Sequence, residues 1–152
     1  MRFLDTIDIS ASGLTAQRLR MDTIASNIAN VETTRVQGGT GPYRRQVVVF
    51  EARTPGISNK RFREIFEDKV ESMGAGVRVK EIRQVNDNEE SLRRVYDPAH
   101  PDADEQGYVN YPNVNIVEEM INMISATRAY EANAKVVEAS KSMAMRALDI
   151  GR

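Results

Sequence analysis

The chain has 152 residues, a length that fits one compact domain or a small domain with appendages. Its formal net charge is -1, so no global electrostatic field attracts it to nucleic acid. Its lack of cysteine excludes disulfides, thiolate metal sites and a cysteine nucleophile. Its one histidine, His100, cannot by itself form a histidine metal cluster or a Ser-His-Asp triad.

The first residues lack the pattern of a signal peptide, because Asp5 stands where an apolar stretch would begin. The chain also has no run of about 18 apolar residues. We therefore expect no direct membrane insertion and no cleaved signal, and export by another route if the protein works outside the cytoplasm.

The N-terminal segment predicts a long helix from about Leu4 to Val31. Its apolar residues recur every seven positions, and small residues form a second row four residues further on. The first row is Ile7, Leu14, Met21 and Ile28, and the second row is Ala11 and Ala25. Rows with this period form a narrow seam of the kind that packs against another helix.

The middle of the chain, residues 32–112, contains the β-branched runs and all five prolines. Residues 43–50 predict one strand and residues 76–85 predict another. The second strand should contain a bulge near Lys80 and Glu81, because the valines of its first half and the isoleucine of its second half fall on opposite faces. Weaker patterns predict a short helix over 62–70, a turn-rich loop over 96–101 and a short strand over 107–109.

The C-terminal segment predicts a second, longer helix over residues 115–150. Asn115 is a good N-cap with Glu118 as its capping-box partner, and Gly151 follows the last apolar position. One row, with a seven-residue period, is Ile116, Met123, Tyr130, Val137 and Ala144, and the other is Met120, Thr127, Ala134 and Leu148. The seven-residue period is followed more strictly here than in the N-terminal helix.

These elements predict an α+β protein in which two long terminal helices form an antiparallel coiled-coil-like pair with a small β-rich middle domain. The expected boundaries are 1–31, 32–112 and 113–152. The middle domain is too small to cover seams of this length, so we predict that the seams also pack on neighbouring copies. The predicted assembly interface is Ile7, Ala11, Leu14, Met21, Ala25, Ile28, Ile116, Met120, Met123, Tyr130, Ala134, Val137 and Leu148.

No group of residues predicts catalysis or a cofactor. His100 lies between two prolines without convergent partners, which favours a turn residue. The nearby acids over 97–105 lack the spacing and glycine of an EF-hand, which favours a solvated turn. Basic clusters such as Arg44-Arg45 are interleaved with acids, so we expect no nucleic-acid surface; solvated charge and inter-subunit salt bridges remain as interpretations.

Two groups of short motifs carry a family resemblance. The first comprises residues 9–14 (ISASGL), 16–18 (AQR), Met21, 24–30 (IASNIAN), 33–34 (TT) and 43–45 (YRR). The second comprises residues 96–98 (YDP), 100–101 (HP), 107–109 (GYV), 113–115 (NVN), 118–120 (EEM), 123–124 (MI), 128–130 (RAY) and 132–133 (AN). In these motifs the chain resembles the bacterial flagellar rod and hook proteins, and its short length is similar to that of the small proximal rod subunits. Residues 51–75 lack the resemblance.

The resemblance implies a structural subunit that needs no cofactor and polymerises into the rod, the shaft that transmits torque to the hook. It implies export through the flagellar type III apparatus without signal cleavage, and terminal helices that line an inner tube. The implied partners are other copies of the chain, rod subunits of the FlgB, FlgF and FlgG types, and the adaptor FliE.

Two other classes of function compete with this interpretation. One is a soluble helical adaptor or coiled-coil binding module with a β insert, which needs one or two contacts where a rod subunit needs several heterologous ones. The other is an enzyme with its site in the middle region, which needs a constellation of catalytic groups that the sequence does not display.

Overall fold

The computed structural model describes residues 3–36, 41–53, 76–85 and 92–151. In chain order, these residues form α1 (Phe3–Ala29), β1 (Gln46–Ala52), β2 (Val77–Gln84), β3 (Arg93–Tyr96), β4 (Tyr108–Tyr111) and α2 (Ile116–Ile150). The fold is α+β, with two long terminal helices and two two-stranded sheets, β1–β2 and β3–β4, between them in sequence. The helix predicted over 62–70 lies outside the described residues.

Local hydrogen bonds explain where α2 begins and where α1 ends. The Oδ1 atom of Asn115 accepts from the backbone of Val117 at 3.0 Å, which confirms the predicted N-cap of α2. The prediction that α2 stops before Gly151 is also confirmed. In contrast, α1 ends two residues earlier than predicted, at Ala29, because the side chain of Asn30 bonds back to the Ser26 carbonyl at 2.9 Å and turns the chain.

Strands β1 and β2 are antiparallel, and one residue is extra on β2. The Arg53 amide donates to the Gly76 carbonyl at one end, and the Val85 amide donates to the Arg45 carbonyl at the other. Eight positions separate Arg45 from Arg53 (53 - 45), whereas nine separate Gly76 from Val85 (85 - 76). A β-bulge accounts for this offset, as the change of face along the strand predicts.

Strand β3 was missed by the sequence analysis, which assigned only the turn after it. It pairs in antiparallel register with β4, so that Val95 lies opposite Val109 and Tyr96 lies opposite Tyr108. All four residues of β3 are exposed, so no apolar alternation marks the strand. Its pairing depends instead on cross-strand contacts, including the Arg94 guanidinium at 4.8 Å from the centre of the Tyr108 ring.

The chain divides into two compact units. One comprises Met1–Leu19, Val49–Glu81 and Ala126–Arg152, and the other comprises Arg20–Val48 and Ile82–Ser125. Both units contain a stretch of each long helix. No helix among the described residues combines the length and the apolarity that a membrane span needs.

The two long helices contact each other within each unit. In the first unit, a Cβ added to Gly13 would lie 2.9 Å from the side-chain nitrogen of Asn133. In the second unit, Asn27 bonds directly to Glu119.

Candidate assembly site

The predicted interface residues all stay at least partly accessible in the single chain. Six are exposed: Ala11, Ala25, Ile116, Met120, Ala134 and Leu148. Seven are half-buried: Ile7, Leu14, Met21, Ile28, Met123, Tyr130 and Val137. Residues of an interface between subunits must be accessible in the single chain. These residues meet that condition, and their place in an interface remains a prediction.

The residues that the chain buries most deeply on its helices belong to different rows, which are mainly small and polar. On α1 they are Ser10, Ser12, Ala16, Thr23, Ile24 and Asn27. On α2 they are Glu119, Ala126 and Ser140, which share a seven-residue beat with the half-buried Asn133. The predicted apolar rows therefore flank the inward face instead of occupying its centre.

The first turns of α2 carry an exposed apolar face. Val117, Met120 and Ile121 are 66%, 55% and 63% exposed, and Ile116 and Ile124 are exposed as well. No charged residue occurs from Met120 to Thr127. Contiguous exposed apolar surface on a soluble chain marks an interaction site. The interface predicted from the sequence includes Ile116 and Met120. It does not include Val117, Ile121 and Ile124, although their spacing of four and three residues is a helical signal.

Behind this face, the carboxylate of Glu119 is buried, with the residue only 1% exposed. The Nε atom of Arg45 donates to its Oε1 atom at 2.9 Å, and a second guanidinium nitrogen donates to the same oxygen at 2.5 Å. Asn27 donates to Oε2 at 3.1 Å. Both carboxylate oxygens are thereby paired, which offsets much of the cost of burying the charge.

Asn27 uses its full hydrogen-bonding capacity. Its amide nitrogen donates to Glu119 and to the Gln46 carbonyl, the latter at 2.9 Å. Its Oδ1 atom accepts from the Gln46 amide at 2.9 Å and from the Tyr43 hydroxyl at 3.0 Å. Since that bond uses the one phenolic proton, Ser26 is the donor in its 3.3 Å contact with Tyr43. We call Asn27, Tyr43, Arg45, Gln46 and Glu119 the polar cluster.

Arg45 has a role within the chain that the sequence did not predict. Its guanidinium is not simply solvated, because it pairs with Glu119 and, at 3.2 Å, with Glu118 of the same chain. Burial alone would lower the pKa of its guanidinium, but the hydrogen bonds and negative charges of Glu119 and Glu118 outweigh burial and raise that pKa. Arg45 is therefore a permanent cation in the polar cluster.

A second anchor joins α1 to the first sheet. The hydroxyl of Ser12 donates to the Ile9 carbonyl at 2.6 Å and accepts from the Val77 amide at 3.0 Å. Gly76, the residue before Val77, has a φ of +94°, and a Cβ added to it would lie 2.5 Å from the Ser12 oxygen. Only glycine fits both the backbone and the space. Ser12 is therefore a buried anchor for β2.

The polar residues around His100 have local structural roles. The ring Nδ1 of His100 accepts from the Asp102 amide at 3.1 Å, and Asp97 accepts from the Ala99 amide at 3.2 Å. Asp104 accepts from the Tyr108 amide at 2.8 Å. Among the described residues, no group of three His, Cys, Asp or Glu side chains is placed to hold a metal ion. These contacts shape turns.

Comparisons with known proteins agree with this architecture. Residues 7–37 match the family model described as flagella basal body rod protein, and residues 105–150 match the model described as flagellar basal body rod FlgEFG protein C-terminal. The first segment contains most of α1, and the second contains β4 and all of α2.

Relatives named flagellar basal-body rod protein FlgC are similar to this chain over almost its whole length. The protein of Borreliella burgdorferi is 48% identical, with 99% of this chain and 98% of the relative covered. That of Bacillus subtilis is 40% identical with 100% of both chains covered, and that of Aquifex aeolicus is 42% identical with 98% of this chain and 97% of the relative covered. The chain therefore belongs to the family of FlgC-type flagellar basal-body rod proteins.

Proposed function

We propose that the chain is a structural, non-enzymatic subunit of the proximal rod that polymerises through the outward faces of α1 and α2 and transmits torque towards the hook. The observation that carries this proposal is the exposed apolar face of α2, from Ile116 to Ile124. The family supports the rod as the place of assembly. A long apolar helix face left in water favours association with other subunits.

The proposed neighbours are other copies of the chain, rod subunits of the FlgB, FlgF and FlgG types, and the adaptor FliE. Supporting this, the segment with α2 matches a family model described by FlgE, FlgF and FlgG proteins. Similar helices on different subunits suit heterologous contacts, in which one face of a subunit meets a different face of the next. We propose that the chain reaches the periplasmic part of the rod through the flagellar export apparatus, without cleavage of a signal.

A shaft that transmits torque must resist twisting. The chain has no cysteine, so covalent disulfide links between subunits are excluded. Rigidity then depends on many repeated non-covalent contacts. Since an exposed salt bridge contributes only about 0–1 kcal/mol, we propose that apolar helix contacts dominate the stability of the rod and that charges mainly determine register between subunits.

Motility tests the proposal. A charged residue introduced at Leu14, Met21, Met123 or Val137 should block incorporation into the rod, because the penalty for burying an unpaired charge recurs in every copy. Glu138→Lys, at an exposed position, is the control and should be tolerated. Export of each variant is checked separately. Normal swimming by two or more of the four interface variants would contradict the proposed interface.

A further inference from the structure

The apolar rows of the two helices do not by themselves specify how far one helix is displaced along the other. Both rows repeat every seven residues, from Ile7 to Ile28 on α1 and from Ile116 to Val137 on α2. If α2 slides by seven residues, each apolar residue of its row is replaced by another apolar residue of the same row. A repeating apolar seam of this kind tolerates several registers unless a polar residue distinguishes them.

The buried row of α2 contains such a residue. Its members are Glu119, Ala126, Asn133 and Ser140, and of these only Glu119 carries a charge. Ala126 and Ser140 are small enough to accept a range of neighbours. The carboxylate of Glu119 is not, because a buried charge must keep its partners.

The partners of Glu119 are held in place by other parts of the chain. Asn27 is tied to both backbone groups of Gln46, and Arg45 lies immediately before β1. A slip of α2 by seven residues would move it by about 10 Å along its axis. Glu119 would leave both partners, and Arg45 and Asn27 would lose their acceptor.

The geometry points to Glu119 as the residue that specifies the register of α2 against α1, with Arg45 and Asn27 as its partners. This inference concerns the fold of a single chain and does not depend on the proposed assembly. Glu119 acts here as a positioning residue. The free-energy cost of burying its carboxylate is low in the register that keeps its partners and high in the registers displaced by seven residues.

Pulsed electron paramagnetic resonance tests the inference. Because the chain has no cysteine, spin labels can be attached at Thr15→Cys and Arg146→Cys, two exposed positions on α1 and α2. With the polar cluster intact, one distance population is expected. In the double variant Arg45→Met and Glu119→Leu, which removes both charges together, a second population should appear, displaced along the axis by about 10 Å.

Glu118→Leu is the matched control, since it changes the exposed neighbour that also contacts Arg45, and it should retain one population. A single unchanged population in the double variant, with helix content retained by circular dichroism, would overturn the inference. If the double variant loses its helices, Glu119→Gln decides between the outcomes. A broadened or divided distribution in that variant supports the assignment, and an unchanged one overturns it.

Discussion

Asn27 and Glu119 are 92 positions apart in the chain, yet they share a 3.1 Å hydrogen bond, and each residue is only 1% exposed. Through this bond α1 meets α2, and through Gln46 the same asparagine holds the start of β1. The relationship explains how a helix pair with few large buried apolar residues acquires a defined arrangement. At this point of the helix pair, buried polar groups from three segments satisfy one another.

Replacing Asn27 by alanine should strongly destabilise the fold. The change leaves the Tyr43 hydroxyl, the Gln46 backbone and one Glu119 oxygen without their partner in a buried place. We expect the free energy of unfolding to fall by about 3 kcal/mol. Urea denaturation followed by circular dichroism measures the change. Asn110→Ala, at an exposed position of β4, is the control and should stay within about 0.5 kcal/mol of the parent.

Two ion pairs should differ in their contributions to stability because they differ in burial. Arg45→Ala leaves the buried Glu119 carboxylate unpaired and should lower the free energy of unfolding by about 3 kcal/mol. Arg78→Ala breaks the exposed pair with Glu51 and should cost less than about 1 kcal/mol. Denaturation of the two variants side by side checks the order. Equal losses would show that burial of Glu119 does not govern the effect.

Gly76→Ala should be harmful where Gly41→Ala is not. Alanine at 76 meets a left-handed backbone and the Ser12 hydroxyl, so we expect a loss of about 2 kcal/mol in the free energy of unfolding. Among the residues that the structure describes, none places a heavy atom within 4 Å of a Cβ added to Gly41, so its substitution should be nearly neutral. In the double variant Ser12→Ala and Gly76→Ala, the steric part of the loss is removed and the backbone strain remains. Additive losses would contradict this contact.

Charge on the exposed face of α2 should separate folding from assembly. Ile121 is largely exposed in the single chain, so Ile121→Asp should leave the free energy of unfolding within about 0.5 kcal/mol. The same variant should fail to restore swimming, because the face is covered in the proposed rod. Denaturation, export and motility are measured together. A variant that unfolds easily, or one that swims normally, would each show that this face has a different role.

The β3–β4 turn should respond to acid. The pKa of Asp104 is lowered, chiefly by the backbone hydrogen bond from Tyr108; desolvation opposes this effect, and the backbone hydrogen bond from Gln106 and the charge of Arg94 add to it. A carboxyl with a lowered folded-state pKa stabilises the fold above its unfolded pKa of about 4, and this contribution is lost as the pH falls through the folded value.

Amide chemical shifts of Gln106 and Tyr108 in a pH titration should therefore change together below about pH 4. Asp104→Asn retains an acceptor oxygen for both amides but carries no charge, so the turn should persist and this acid transition should disappear. An acid transition of the same midpoint in the asparagine variant would assign it to another group.

The sequence alone determined the elements whose signals are local. The seven-residue rows and the cap at Asn115 predicted both long helices, and the change of face along β2 predicted its extra residue. Helix periodicity and capping depend on residues three to seven positions apart, which a sequence displays directly. Short motifs in the same segments indicated the family.

Only the tertiary structure decided which helix face turns inward and what Arg45 does. Hydrophobicity favoured the rows with Leu14 and Met123, whereas the most buried positions include Asn27 and Glu119. A polar side chain is stable in the interior when distant groups satisfy it, and the partners of Glu119 come from segments 74 and 92 positions away. No local pattern records such partners, so the polar cluster emerges only when the folded chain brings them together.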